Sequence, residues 1–181
     1  MQDIKELYDE AVATPSDIYE HLETFVELAA GHAADRVIEL GVRGCVSTIA
    51  WLYAMEMTDG HLWSVDIEPP LRWFGVQQRW TFVLGDDMSD DVKARMPEPV
   101  EILFIDTSHA YQHTLNELQQ YGPLVRPGGL ILLHDTEVQW PELVNDGVAY
   151  PVKQAVHDYC RDLNLSWENR PNCNGLGIIR V

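Results

Sequence analysis

The chain has 181 residues, 46% of them hydrophobic, and is long enough for one domain with a full-sized core. Its 12 basic and 29 acidic side chains leave a formal charge of −17, which repels a phosphate backbone over most of the surface and sets nucleic acid aside as a partner. No apolar run approaches the length of a membrane span, and the start of the chain lacks the basic and apolar regions of a secretory signal.

Ile4, Leu7, Tyr8, Ala11 and Val12 recur with helical period. Thr14-Pro15-Ser16-Asp17 then supplies an N-cap, a first-turn proline and an early acid for a second helix, which runs to about Ala30 and is ended by Gly31. These helices, within residues 1–34, are expected to cover an edge or one mouth of a sheet. Val37, Ile38 and Leu40 form a short apolar strand, and Gly41 and Gly44 free the backbone after it. Val46, Ile49, Ala50, Tyr53 and Met57 set the buried face of the helix that follows. Ser47 and Thr48 lie near its start, where side-chain oxygens or free N–H groups hold polar ligands. Glu39, at the end of a buried strand, is costly unless it accepts hydrogen bonds. A cofactor bearing hydroxyls or an ammonium group would supply donors; Arg43 or a backbone N–H is the alternative.

His61 to Asp66 reads as a second strand ending in an acid, broken by Glu68-Pro69-Pro70. Trp80 to Leu84 is a third, followed by Gly85-Asp86-Asp87-Met88; Val100 to Ile105 is a fourth, ending in Asp106; Leu130 to Leu133 is a fifth, ending in His134 and Asp135. Tyr111, Leu115, Leu118 and Tyr121 mark a helix closed by Gly122-Pro123 and the Pro127-Gly128-Gly129 turn. From Glu137 to Tyr150, Trp140-Pro141 and Asn145-Asp146-Gly147 suggest a loop over the site opening, in which Trp140 either stacks on an acceptor ring or packs. Val152, Ala155, Val156 and Tyr159 begin the last helix, and Leu165 to Trp167 with Leu176 to Val181 suggest a closing pair of strands. Five strands thus finish in an acid or a glycine-acid pair: Glu39, Asp66, Asp86, Asp106 and Asp135. Ligands bind at the carboxyl ends of parallel strands, so these acids outline one site; solvated strand ends are the alternative.

The stretch from Val37 to Thr48, with Glu39, Gly41 and Gly44, resembles the cofactor loop of class I S-adenosylmethionine-dependent methyltransferases. Ile102 to Tyr111, with Asp106 and His109, continuing from Leu124 through Pro127-Gly128-Gly129 to His134-Asp135, is similar to small-molecule O-methyltransferases that include macrocin-type sugar methyltransferases. The likeness covers Val37 to about Asp135, and Asp-x-x-His with the later His-Asp is its narrower part. It implies an α/β fold, Rossmann-like and doubly wound, with a seven-stranded, mostly parallel sheet and helices on both faces. Residues 1–181 then form one methyltransferase domain, with a helical cover over 1–34, a cofactor-binding core over 35–135, and the acceptor loop, last helix and closing strands over 136–181. By the same resemblance Glu39 and the backbone at Gly41 hold the methionine end of S-adenosylmethionine, Asp66 takes the ribose hydroxyls, Asp86 meets the adenine amino group and Met88 packs on the adenine ring. Ser47 and Asp106 complete the cofactor set. Arg43 and Cys45 stand where the commonest family loop has its second and third glycines, with Gly44 between them.

Methyl transfer to a hydroxyl needs a positioned base, and His109, three residues after Asp106, has a pKa suited to that task. Its alternative role is to cap the following helix. Asp106 and Asp135, on adjacent strands in this topology, are candidates to share Mg2+ or another divalent cation, which would lower the pKa of a coordinated hydroxyl. Catechol-type relatives place an asparagine where this chain has Thr136, and macrocin-type relatives an acid where it has His134. That leaves a two-carboxylate site open to water, a softer metal using His134, or two aspartates bonded to the turn without metal. His21, His32, His61, His113 and His157 show no paired spacing and are assigned to packing or surface. The expected acceptor is a small molecule with a hydroxyl, a sugar or glycosylated natural product first and a catechol-like phenol second. A nicotinamide-dependent oxidoreductase is the rival, but it wants a Gly-x-Gly-x-x-Gly turn and a second nucleotide half; a nucleotide-binding protein without catalysis is the third reading. Cys45, Cys160 and Cys173 form no Cys-x-x-Cys pair, so a cytoplasmic location is expected, and association into a homo-oligomer is left open.

Overall fold

The computed structural model describes residues 3–72, 74, 77–139 and 148–181. Seven strands, β1 (Arg36–Leu40), β2 (His61–Asp66), β3 (Trp80–Leu84), β4 (Val100–Ile105), β5 (Val125–His134), β6 (Ser166–Arg170) and β7 (Leu176–Arg180), form one sheet in the order β3-β2-β1-β4-β5-β7-β6. Strands β1 to β5 are parallel, and β7 runs antiparallel between β5 and β6. The helices are α1 (Ile4–Ala13), α2 (Leu22–Gly31), α3 (Val46–Thr58), α4 (Asp90–Lys93), α5 (Tyr111–Tyr121) and α6 (Pro151–Leu163).

Alternation along the strands divides the apolar side chains between two cores. Val37, Ile102, Phe104, Leu130 and Leu132 pack with α1, α2 and α3, whereas Ile38, Leu40, Leu103, Ile105, Ile131 and Leu133 pack with α5 and α6. Both faces are covered, which is why the central strands read as apolar runs. On the first face Phe25 stacks on Trp51 with ring centroids 4.6 Å apart, and Phe104 lies 5.0 Å from Phe25. The seven-stranded, mostly parallel sheet with helices on both faces is the architecture expected from the sequence.

Three element boundaries differ, one of them β6, which covers Ser166–Arg170 and not Leu165 to Trp167. The second helix begins at Leu22, after a 3-10 turn over Tyr19–His21, and not at Pro15 behind a Thr14 cap. Buried Ile18 and a 2.8 Å contact from the His21 ring to the Asn172 carbonyl tie this segment to the far end of the chain, and those contacts override the local cap signal. Strand β5 starts at Val125, with the Pro-Gly-Gly sequence inside it. The step from Val100 to Ile102 on β4 spans Val125 to Leu130 on β5, a bulge in which Gly128 has φ +79°. A Cβ on Gly129 would sit 2.7 Å from the Glu101 carbonyl, so the bulge needs glycine there. Trp140-Pro141 and Asn145-Asp146-Gly147 lie outside the described residues. Among the described residues no helix is long and apolar enough to cross a membrane.

Candidate functional site

The parallel register gathers the strand ends. Gly41 N donates to the Val65 carbonyl (2.9 Å), Asp106 N to Leu40 (2.8 Å) and Gly85 N to Asp66 (2.9 Å), so the chain leaves β1 to β4 along one edge of the sheet. Ile105 pairs with Leu133, which sets His134 beside Asp106. A cavity of about 430 Å³ opens at this edge, lined by Gly41, Asp66, Asp86, Asp106 and His109 of the residues singled out above, and by Asp87 and His113. It lies at the carboxyl ends of the strands, next to the β1–β4 junction where the strand order reverses, the place at which open α/β sheets bind ligands.

The loop after β1 is held by the fold. A Cβ on Gly41, at φ +87°, would sit 1.9 Å from the Asp106 carbonyl oxygen, so the approach of β4 demands this glycine. Arg43 (φ 43°) and Cys45 (φ 63°) adopt the left-handed conformation at the positions where the commonest loop carries glycine, while Gly44 takes no positive φ and is uncrowded. Each left-handed non-glycine residue costs about 1–2 kcal/mol. The Asp66 carboxylate offsets this, because its Oδ2 accepts from Val42 N at 2.8 Å and Arg43 N at 3.0 Å. The Arg43 guanidinium pairs with Asp17 at 3.1 Å.

Glu39 lies on the same side of β1 as Val37 and is fully buried beneath the first turn of α3. Its carboxylate accepts from Ser47 Oγ (2.7 Å), Thr48 Oγ1 (2.9 Å) and Ser64 Oγ (2.6 Å), Ser64 being its register partner on β2. Burial pushes its pKa up to about 7 in spite of these three donors. The donors sought in a cofactor thus come from the chain itself. Ser47 is buried and engaged with Glu39, and Met88 packs on the second core while its N–H donates to Asp86 Oδ1 at 2.8 Å. Glu39, Ser47 and Met88 are therefore off the cavity wall, and Gly41, Asp66, Asp86 and Asp106 are on it.

The fourth and fifth strand ends meet around two imidazoles. His109 (φ 59°) and Asp135 (φ 62°) both stand in the left-handed region, which turns their side chains toward each other. His109 Nε2 lies 3.1 Å from Asp106 Oδ1 and 2.9 Å from Asp135 Oδ2. Helix α5 starts after Ala110, whose side chain provides no cap, and the His109 ring just before it is engaged with both carboxylates. His134 Nε2 donates toward the carbonyls of Asp17 (3.1 Å) and Cys173 (3.0 Å), which leaves Nδ1 facing Asp106 Oδ2 (3.6 Å) and Asp135 Oδ1 (3.4 Å). Burial opposes charge on both rings, yet the aspartates raise each to about 9. Burial also opposes charge on Asp106, but His109 and His134 hold it well below the usual carboxylate range.

Asp135 Oδ1 is buried without a hydrogen-bond partner, and one ligand atom each of Asp106, His134 and Asp135 lies within 4.8 Å of the others. That donor set, with one orphaned carboxylate oxygen, suits a divalent cation. Sequence reasoning missed His113 and Asp87, which meet across the cavity wall at 3.2 Å. The available signal was the i, i+4 spacing of His113 and Glu117 on one helix face. It also missed the backbone of Asp17 and Cys173, which only the folded chain brings to His134.

A methyltransferase-domain family model matches residues 38–136. No curated protein matches the sequence significantly. Among solved structures the chain resembles a Staphylococcus aureus protein assigned as a caffeoyl-CoA O-methyltransferase, with 14% identity over 99% of this chain and 92% of that one and a TM-score of 0.73. It also resembles the MycE methyltransferase of the mycinamycin biosynthetic pathway in complex with Mg, SAH and mycinamycin VI, with 18% identity, a TM-score of 0.74, and coverage of 99% of this chain but 54% of that one. A third is the O-methyltransferase TomG from Streptomyces achromogenes, involved in tomaymycin synthesis and solved with SAM, with 15% identity over 100% of this chain and 90% of that one and a TM-score of 0.67. At these identities the likeness is one of fold.

Proposed function

The chain belongs to this methyltransferase-domain family as an S-adenosylmethionine-dependent enzyme, and we propose that it methylates a hydroxyl oxygen of a small molecule, using His109 as proton acceptor and a divalent cation at Asp106, Asp135 and His134. The observation that carries the reading is the convergence of Gly41, Asp66, Asp86 and Asp106 on one cavity beside a paired-aspartate, two-histidine cluster. Asp66, aligned by the backbone N–H groups of Val42 and Arg43 on Oδ2 and of Glu68 on Oδ1, keeps a lone pair on Oδ1 for a ribose hydroxyl; Asp86, exposed at the cavity rim, is placed for the adenine amino group. Glu39 and Ser47 act underneath, fixing the first turn of α3.

When bound, S-adenosylmethionine supplies an electrophilic methyl group and the cation lowers the pKa of the acceptor hydroxyl. His109 accepts the hydroxyl proton on the ring whose Nε2 faces Asp106 and Asp135 in the unliganded chain. With its pKa at about 9 the ring of the unliganded chain already carries a proton at pH 7, so the base role requires the two aspartates to be engaged elsewhere, as cation ligation would engage them. A sugar or glycosylated natural product is the favoured acceptor, supported by MycE with its bound mycinamycin VI, and a catechol-like phenol is second. The antiparallel β7 and β6 stand where a nicotinamide oxidoreductase would continue a second nucleotide half.

Calorimetry with S-adenosylhomocysteine, with and without Mg2+ or Mn2+, followed by a screen of hydroxylated acceptors, tests the reading. Failure to bind S-adenosylhomocysteine removes it, and turnover that survives chelation removes the cation alone.

A further inference from the structure

We propose a second divalent-cation site, formed by Asp87, His113 and Glu117 in the wall of the cavity and separate from the Asp106–His134–Asp135 cluster. Asp87 lies in the turn after β3, and His113 and Glu117 are one helical turn apart on α5. His113 Nε2 lies 3.2 Å from Asp87 Oδ2 and 3.6 Å from Glu117 Oε1, and one ligand atom from each residue lies within 4.8 Å of the others.

Hydrogen-bond accounting points to a ligand. Glu117 is fully buried; its Oε1 accepts from Thr107 Oγ1 at 2.7 Å, and its Oε2 has no donor at all. The Asp87 and Glu117 carboxyl groups lie within hydrogen-bond reach of each other, and neither donates when ionised. Glu39, the other fully buried glutamate among the described residues, has three hydroxyl donors. Two buried acids here share one imidazole and one hydroxyl, so either a proton is kept between them or a cation stands there. Burial first, then Asp87, pushes the Glu117 carboxyl well above the usual carboxylate range.

The cluster is also held in place. The Asp87 carbonyl accepts from Tyr121 OH at 2.6 Å and Gln120 Nε2 at 3.2 Å, so α5 positions all three ligand residues. Asp87 and His113 line the cavity, which gives water a path to the remaining coordination positions. Two carboxylates and a neutral imidazole balance a divalent charge, and the mixed nitrogen and oxygen donors favour Mn2+ or Zn2+ over Mg2+ or Ca2+. An ion there ties the turn after β3 to α5 and, through Thr107, to the loop that carries His109.

The test is Mn2+ titration of the full chain, with free ion read by electron paramagnetic resonance. The wild type is expected to bind two ions per chain. Glu117→Gln and His113→Gln should each lose one, with affinity at that site falling at least about 100-fold, while Asp106→Asn loses the other. Glu117→Gln keeps the side-chain volume and gives Asp87 an amide donor, and thermal unfolding establishes that it folds. A single wild-type ion that persists in Asp106→Asn and vanishes in Glu117→Gln supports this site and removes the cation from the proposed reaction. Unchanged stoichiometry in both Glu117→Gln and His113→Gln, or a single wild-type ion abolished by Asp106→Asn, overturns the second site and leaves only a shared proton.

Discussion

Glu39→Gln separates a ligand contact from a buried scaffold. The native carboxyl has its pKa raised by burial from 4.5 to about 7. An acid raised in this way binds its proton more tightly in the folded state, so its stabilising effect is complete below the unfolded pKa near 4.5 and is lost as pH rises to about 7, beyond which stability is level. At about 1.4 kcal/mol for each pH unit between 4.5 and about 7, the loss is roughly 3.5 kcal/mol. Glutamine has no proton to lose. It does offer a single acceptor oxygen to Ser47, Thr48 and Ser64, which costs about 1–2 kcal/mol at every pH. Urea unfolding in steps from about pH 4.5 to about pH 8 should therefore show the variant less stable at the acid end and level with or above the wild type at the alkaline end. Calorimetry should show S-adenosylhomocysteine affinity changed by no more than about threefold. A stability difference that is flat with pH, or a 100-fold affinity loss at unchanged stability, refutes the placement of this carboxylate under α3.

Gly41→Ala should lose about 3 kcal/mol or more of stability even without ligand, because its Cβ meets the Asp106 carbonyl and its φ is positive; a loss under about 1 kcal/mol in urea unfolding contradicts that contact. Asp66→Ala removes the acceptor for Val42 N and Arg43 N and should cost about 1–3 kcal/mol of stability together with at least tenfold in S-adenosylhomocysteine affinity, read by unfolding and calorimetry. His109→Ala should lower methyl transfer by about 10²–10⁴-fold with cofactor affinity retained, and equal turnover of variant and parent in a single-turnover assay removes the base.

The parallel core was legible because strands buried on both faces announce themselves as apolar runs, each stopped by a glycine or an acid. The Asp106–His109 and His134–Asp135 pairs were legible for a related reason: they follow strands that neighbour each other in this topology, so adjacency in space follows from the strand order. What was hidden depended on distant partners. The start of α2 is set by Asn172, the tautomer of His134 by Asp17 and Cys173, and the surroundings of His113 by Asp87. The extra length of β5 was hidden differently, since a bulge built on Gly128 and Gly129 has the composition of a turn. Left-handed Arg43 and Cys45 carry no compositional mark at all.

Glu39 diverges from the other strand-end acids because of its position relative to where its strand stops. Strand β1 ends at Leu40, so Glu39 is still inside it, and alternation sends its side chain sideways into the layer under α3. Asp66 is the last residue of β2, Asp106 and Asp135 directly follow β4 and β5, and Asp86 lies one residue further beyond β3. Past the last ladder position the backbone turns and the side chain is free to face the mouth of the sheet. Neighbours then decide what each acid does there: Asp66 and Asp86 accept backbone N–H groups and keep lone pairs for a ligand, while Asp106 and Asp135 both face the His109 imidazole. A shift of one residue in where β1 ends would exchange the buried role of Glu39 for an exposed one. Acidic residue type alone therefore says little about function, and its offset from the end of the strand says a good deal.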